Sequence, residues 1–211
     1  MENKRIRNGI RKRISLFAQV TGMLSLVAIL SVAPPVFAAS QRDIQSVHLF
    51  SDGSIVSGSS SLLVRTDSGV TMNLKTSGLP ANNAVTIWWV IFNHPEFCSH
   101  GVLGLRCGEG DLSSPDVQAS VLYAAGHVIG SKGVGNFAGH LNIGDISEQG
   151  CPSGAACYLF GPGLVNPMGA DIHLIVHIHG PADPALMPGE IHSFNICNPT
   201  CVDMQFSPHE A

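Results

Sequence analysis

The chain has 211 residues with 23 Gly, 13 Pro, 6 Cys and 10 His, and only 12% of its residues are charged, which excludes a disordered polymer or a coiled coil. The formal net charge is −4, but six of the eleven basic residues (Lys4, Arg5, Arg7, Arg11, Lys12 and Arg13) lie in the first thirteen positions. The remainder is therefore strongly acidic, which argues against nucleic acid or an anionic membrane surface as a partner.

Behind the basic cluster, residues 14–32 are dominated by Leu, Val, Ile, Ala and Phe, and Val36-Phe37-Ala38 supplies small residues at the −3 and −1 positions of a processing site. This is the pattern of a secretory signal peptide over 1–38, cleaved near Ala38. The expectation is an exported protein, secreted or periplasmic, with no stable membrane span after cleavage. Residues 39–211 then form a single domain carrying five basic and fourteen acidic residues, a formal charge of −9.

All six cysteines follow the leader, and an even count in an oxidising compartment reads as disulfides. They fall into three close pairs: Cys98 with Cys107, Cys151 with Cys157, and Cys197 with Cys201. Each would close a loop of about ten residues or fewer and contribute roughly 2–3 kcal/mol.

Taken in chain order, apolar alternation predicts strands over 44–50, 61–66, 70–76, 85–93, 117–129 (with or without a break at Gly126), 133–143, 171–179 and 190–196. Asp52-Gly53, Asp67-Ser68-Gly69, residues 78–83, Gly161-Pro162-Gly163 and residues 181–189 carry turn chemistry between them. Helix is scarce. The predicted fold is all-β, an antiparallel β-sandwich or flattened barrel of about 7–9 strands. The long Gly-rich loops over 93–115 and 144–169, each pinned by one disulfide, are the expected walls of a site.

Trp88-Trp89 sits in the 85–93 strand, where neighbours face opposite sides. One indole enters the core, and the other packs beneath a loop or offers an aromatic platform to a ligand such as a sugar ring. Enzyme signatures are absent: there is no G-x-S-x-G, H-E-x-x-H, P-loop or G-x-G-x-x-G. Glu96, Glu109, Asp111 and Asp116 are the acids that a glycosidase cleft would draw on. The balance points away from catalysis.

The richest stretch is Asp171-Ile-His-Leu-Ile-Val-His-Ile-His179. With a period of two, Ile172, Leu174, Val176 and Ile178 share one face, and Asp171, His173, Ile175, His177 and His179 share the other. His177 and His179 are about 6.5–7 Å apart at Cα, so both imidazoles can reach one ion. His173 lies about 13 Å from His177, too far to join them without bending. Copper or zinc is the expected metal, with His140, His127 or His192 completing the set. His192 is attractive because a 190–196 strand would return beside the H-x-H strand. His48, His94, His100 and His209 read as loop or surface residues.

His177-Ile178-His179-Gly180-Pro181-Ala182-Asp183-Pro184, followed by Gly189, resembles an element of chordin-type (CHRD) domains, and residues 74–79 resemble their strand ending in a Ser-Gly-Leu turn. The resemblance covers two short stretches and implies a secreted β-sandwich. The chain is also similar to secreted bacterial proteins sharing the Trp-Trp strand and an Ala-Ala-Gly-His segment. The H-x-H strand is similar to that of copper/zinc superoxide dismutases, again β-sandwiches. The main expectation is an exported, disulfide-stabilised, non-catalytic binding or structural module of unknown ligand. The alternatives are a histidine-ligated copper or zinc protein, possibly redox-active, and a carbohydrate-binding protein using Trp88 or Trp89.

Overall fold

The chain changes sheets at Ser46-Val47, and this crossing sets the architecture. The computed structural model describes residues 40–147 and 157–211, all within one compact unit spanning Phe37–Ala211. The leader expected over 1–38 and the first member of the expected Cys151–Cys157 pair lie outside the described residues.

Ten strands are described: β1 (Ser40–Gln45), β2 (His48–Leu49), β3 (Ser60–Thr66), β4 (Gly69–Thr76), β5 (Asn83–Phe92), β6 (Ala119–Val128), β7 (Gly135–Asn142), β8 (Tyr158–Phe160), β9 (Asp171–Pro181) and β10 (Val202–His209). They form a four-stranded sheet in the order β1-β3-β4-β7 and a six-stranded sheet in the order β2-β10-β9-β5-β6-β8. Every ladder between strands is antiparallel, and neither sheet closes into a barrel. The two sheets pack as a sandwich, the first of the two expected architectures. The predicted 44–50 strand is divided at the crossing, with β1 in the small sheet, β2 in the large one, and Val47 buried between them.

The core forms where the alternating faces meet. Leu63, Val70, Met72, Leu74, Phe137 and Leu141 enter it from the small sheet. Val85, Ile87, Trp89, Ile91, Leu122, Ile172, Leu174, Val176 and Ile178 enter from the large one. Burying each such side chain favours folding by about 1.5–3 kcal/mol. Thr66 pairs with Gly69, so the expected Asp67-Ser68-Gly69 turn makes a two-residue hairpin loop between β3 and β4.

One expectation is corrected and one open alternative is resolved. Residues 190–196 are not a strand: Gly189–Ile191 is a 3₁₀ turn, held because the buried Glu190 carboxylate accepts the Asp183 backbone N–H at 2.9 Å. The partner returning beside β9 is β10, which pairs with it from Val202↔Ile178 to His209↔Ile172. Gly126 does not interrupt the 117–129 strand either. It lies inside β6, where a Cβ would stand 2.3 Å from the Ile191 carbonyl oxygen, so the glycine admits the 189–191 turn onto the sheet.

Candidate functional site

The outer face of an antiparallel sheet is ordinarily polar and wet. In this protein the outer face of the large sheet carries Thr86, Trp88, Val90 and Phe92 from β5, with His173, Ile175, His177 and His179 from β9. All of these except Val90 and Ile175 are buried, and those two are half-buried. Two covers make this possible. The loop pinned by Cys98–Cys107 packs over one part, where Phe92, Cys107, Val117 and Ala119 form a second small core with Val90, Cys98 and Leu112 against it. The excursion over 182–201, closed by Cys197–Cys201, covers the other. Both disulfides join the expected partners, with Cα atoms 5.1 and 5.2 Å apart.

The second cover lays Phe194 on the histidine pair. The Phe194 ring stacks on His177 with centroids 4.5 Å apart and meets Trp88 edge-on at 5.1 Å. His177 Nδ1 lies 2.5 Å from Asp203 Oδ1, and its Nε2 lies 3.0 Å from the Phe194 carbonyl oxygen. Both neighbours are hydrogen-bond acceptors, so each competes for a ring proton of His177. His179 stands 4.8 Å from His177, ring to ring, with Nδ1 donating to the Ile196 carbonyl at 2.8 Å and Nε2 facing the Thr86 hydroxyl at 2.8 Å. Burial, with the neighbouring His177, pushes His179 down to about 4 and keeps it neutral. Cys201 Sγ lies 3.5 Å from His179 Nδ1.

His177, His179 and Cys201 thus bring three metal-ligating atoms within 4.8 Å of one another. Cys98, Cys107 and Asp111 form a second such group, so the described residues hold two clusters geometrically suited to a metal such as copper or zinc, although the sulfurs of both are joined in disulfides. The Asp111 carboxylate is already engaged by the backbone N–H groups of Ser99 at 2.8 Å and Gly108 at 2.9 Å. Burial pushes Asp111 up, but these bonds and those from His100 hold it below its ordinary value. That acid organises the loop.

The third candidate ligand beside the histidine pair is a cysteine, not one of the expected histidines. His140 is exposed on β7 and contacts Thr71 Oγ1 at 2.8 Å and Asn142 Oδ1 at 3.1 Å. His127 stacks on Phe137 at 4.3 Å, and burial lowers its pKa. His192 Nδ1 donates to the Pro188 carbonyl at 2.9 Å. None of the three belongs to either ligating group. His209, expected at the surface, is fully buried, with Nδ1 2.6 Å from Asp43 Oδ2 and Nε2 2.7 Å from Ser61 Oγ.

Trp89 lies in the core and Trp88 under the 182–201 cover, each about 1% exposed, so neither indole offers a platform to solvent. Among the described residues no helix is long and apolar enough to cross a membrane. No protein-family profile, curated protein or solved structure matches the chain, so the likeness to chordin-type domains rests on its two short stretches and the sandwich fold.

Proposed function

We propose that this is an exported β-sandwich that binds copper or zinc, with His177, His179 and Cys201 as ligands, in a binding rather than a catalytic role. The observation that carries this reading is the convergence of those three residues within 4.8 Å beneath the Phe194 cover. Two imidazoles and a thiolate suit Zn²⁺ and Cu⁺, since sulfur favours both ions and imidazole accepts either.

The sulfur couples binding to redox state. In the Cys197–Cys201 disulfide Cys201 has no thiolate to give. A dithiol reductant supplies two electrons and two protons to that bond, is itself oxidised to a disulfide, and leaves two protein thiols. Metal binding then displaces the Cys201 thiol proton.

The surroundings support the histidines in this role. Coordination through His179 Nδ1 moves the ring proton to Nε2, where the Thr86 oxygen can accept it, because a hydroxyl both donates and accepts. Asp203 beside His177 Nδ1 is the carboxylate partner that metal-binding histidines commonly use to fix the ring.

Elemental analysis after equilibrium dialysis against zinc, and against copper under anaerobic conditions, tests the reading. The protein is held either oxidised or reduced with excess dithiothreitol and then freed of it. Near-stoichiometric metal is expected in the reduced wild type, and little in the oxidised protein, in His177→Ala/His179→Ala or in Cys201→Ser. Equal metal in the reduced wild type and the double variant would overturn it.

A further inference from the structure

Beside the histidine cluster the two covers leave a gap. Over the outer face of the large sheet there is a cavity of about 990 Å³, at the upper end of the roughly 300–1,000 Å³ typical of small-molecule sites. Its floor is Trp88, Val90, Phe92, His173, Ile175 and Phe206, and the disulfide-pinned loop overhangs it with Leu103, Leu105 and Leu112. Rigid strands hold the floor and a stapled loop holds the roof, so the cavity needs little ordering to receive a ligand.

Two observations define what would fit. The first is His173, the polar ring in the floor. It is 5% exposed, burial holds it near pH 4 and therefore neutral, and its ring makes no hydrogen bond among the described residues, Nε2 being fully buried. A buried polar ring in apolar surroundings is costly when unpaired, and it gains when a ligand supplies the missing partner. The second is the charge of the lining. Glu109 and Asp203 are its ionisable acids, His100 at its rim is already engaged by Asp111 at 3.0 Å, and no lysine or arginine lines the cavity. An anionic head group would meet like charge without a lysine or arginine to hold it, and a cation would have to be buried among aromatic and aliphatic side chains.

We infer that this cavity binds an uncharged, largely apolar small molecule, aromatic or alicyclic, that carries one hydroxyl group paired to His173. A hydroxyl suits a neutral imidazole in either tautomer, since it donates to a bare ring nitrogen and accepts from a protonated one. The surrounding Phe and Trp rings favour a flat hydrocarbon body. This site is distinct from the His177/His179/Cys201 cluster and does not require a metal.

The test uses the full chain, oxidised and metal-free, with three probes of equal shape: 1-naphthol, naphthalene and 1-naphthoate at neutral pH. Isothermal titration is expected to show saturable one-to-one binding of 1-naphthol, with naphthalene about 5–10-fold weaker for want of the hydrogen bond and naphthoate weaker still. His173→Phe is expected to bind naphthalene as tightly as naphthol, abolishing the preference. Ile175→Trp, which fills the floor, is expected to lose all three probes while keeping the wild-type far-ultraviolet circular dichroism. Absence of saturable naphthol binding by the wild type would overturn the proposal. So would naphthoate binding as tightly as naphthol, an unchanged preference in folded His173→Phe, or naphthol binding that falls as the protein self-associates, which would show a second copy occupying the cavity. The three-probe comparison in the wild type decides the matter even if a variant fails to fold.

Discussion

The Thr86 hydroxyl oxygen lies 2.8 Å from His179 Nε2 and accepts the Trp88 indole N–H, also at 2.8 Å. One buried oxygen therefore serves two rings: it receives a proton from the indole and offers its own to the imidazole. This fixes the His179 proton on Nδ1, where it meets the Ile196 carbonyl and ties the 182–201 excursion to β9. The neighbouring backbone adds a second tie, since the Asn198 N–H donates to the His179 carbonyl at 2.6 Å.

Thr86→Val keeps the shape and removes the oxygen, leaving an indole N–H and an imidazole nitrogen unpaired in a buried site. The expected loss is about 2–6 kcal/mol, at 1–3 kcal/mol per stranded group, whereas Thr86→Ser should cost less than about 1 kcal/mol. Urea unfolding of the two variants measures this. Equal midpoints for valine and serine would mean that the oxygen is not the tie described.

Gly180 is the next test, because it explains why a glycine follows the H-x-H strand. It has φ of +95°, and a Cβ there would stand 1.7 Å from the Asn198 carbonyl oxygen, a backbone atom that cannot swing aside. The position is also where the β5–β9 register shifts by one residue. Gly180→Ala is expected to cost at least about 3 kcal/mol, combining left-handed strain with the clash, and to loosen the 182–201 cover before the sheet itself. Hydrogen exchange resolves the two. Wild-type protection of the Asn198 amide in the variant would contradict the account.

Much of this was legible in the residues themselves. Alternation in β9 separates Ile172, Leu174, Val176 and Ile178 from the histidines, and the core contains those four aliphatics. The adjacent tryptophans must divide between faces, and they do. The partners in the two described disulfides, Cys98–Cys107 and Cys197–Cys201, followed from proximity in sequence. What sequence could not show depends on long-range approach. Cys201 reaches His179 only because 182–201 doubles back over the sheet. His209 reads as a tail residue behind Pro208, yet its partners Asp43 and Ser61 are 166 and 148 residues away in the chain. β10 hid because Pro208 and Asp203 spoil its strand pattern, although Pro208 lies near the strand's end. The apolar outer face had a visible signal: Trp88, Val90 and Phe92 share the parity that a wet face should have filled with polar groups.

Arg65 was not singled out by its sequence neighbourhood, yet its guanidinium is fully buried. Nη1 donates to the Pro167 and Ala170 carbonyls at 2.7 Å each, and Nη2 donates to the His209 carbonyl at 2.9 Å. Burial pulls the guanidinium below its ordinary pKa, while Asp171 and Asp43 favour its charged form. It joins the approach to β9 to the end of β10. Arg65→Met strands three carbonyl groups and leaves Asp171 and Asp43 without this cation, so a loss of about 3–5 kcal/mol is expected. Arg65→Lys should recover only part of it, because one ammonium cannot reproduce the planar fork. Guanidinium chloride unfolding checks both, and a lysine variant of wild-type stability would show that charge alone suffices.

His173 makes the fold sensitive to acid. Burial, with His209 close by, pushes its pKa from the ordinary 6.5 down to about 4 in the folded chain. The unfolded chain therefore takes up a proton near pH 6.5 while the folded chain resists until about pH 4, so the contribution is fully present above pH 6.5 and is lost as pH falls from there to about 4. A shift of this size corresponds to about 3 kcal/mol. His173→Phe removes the titrating group from both states and keeps the ring that meets Phe92 at 5.1 Å. Between pH 7 and pH 4 the wild type should lose about 3 kcal/mol more than this variant in urea unfolding, and the difference should develop mainly below pH 6.5. Parallel stability curves for the two proteins would place the acid sensitivity elsewhere, with the buried His209 beside Asp43 the next group to replace.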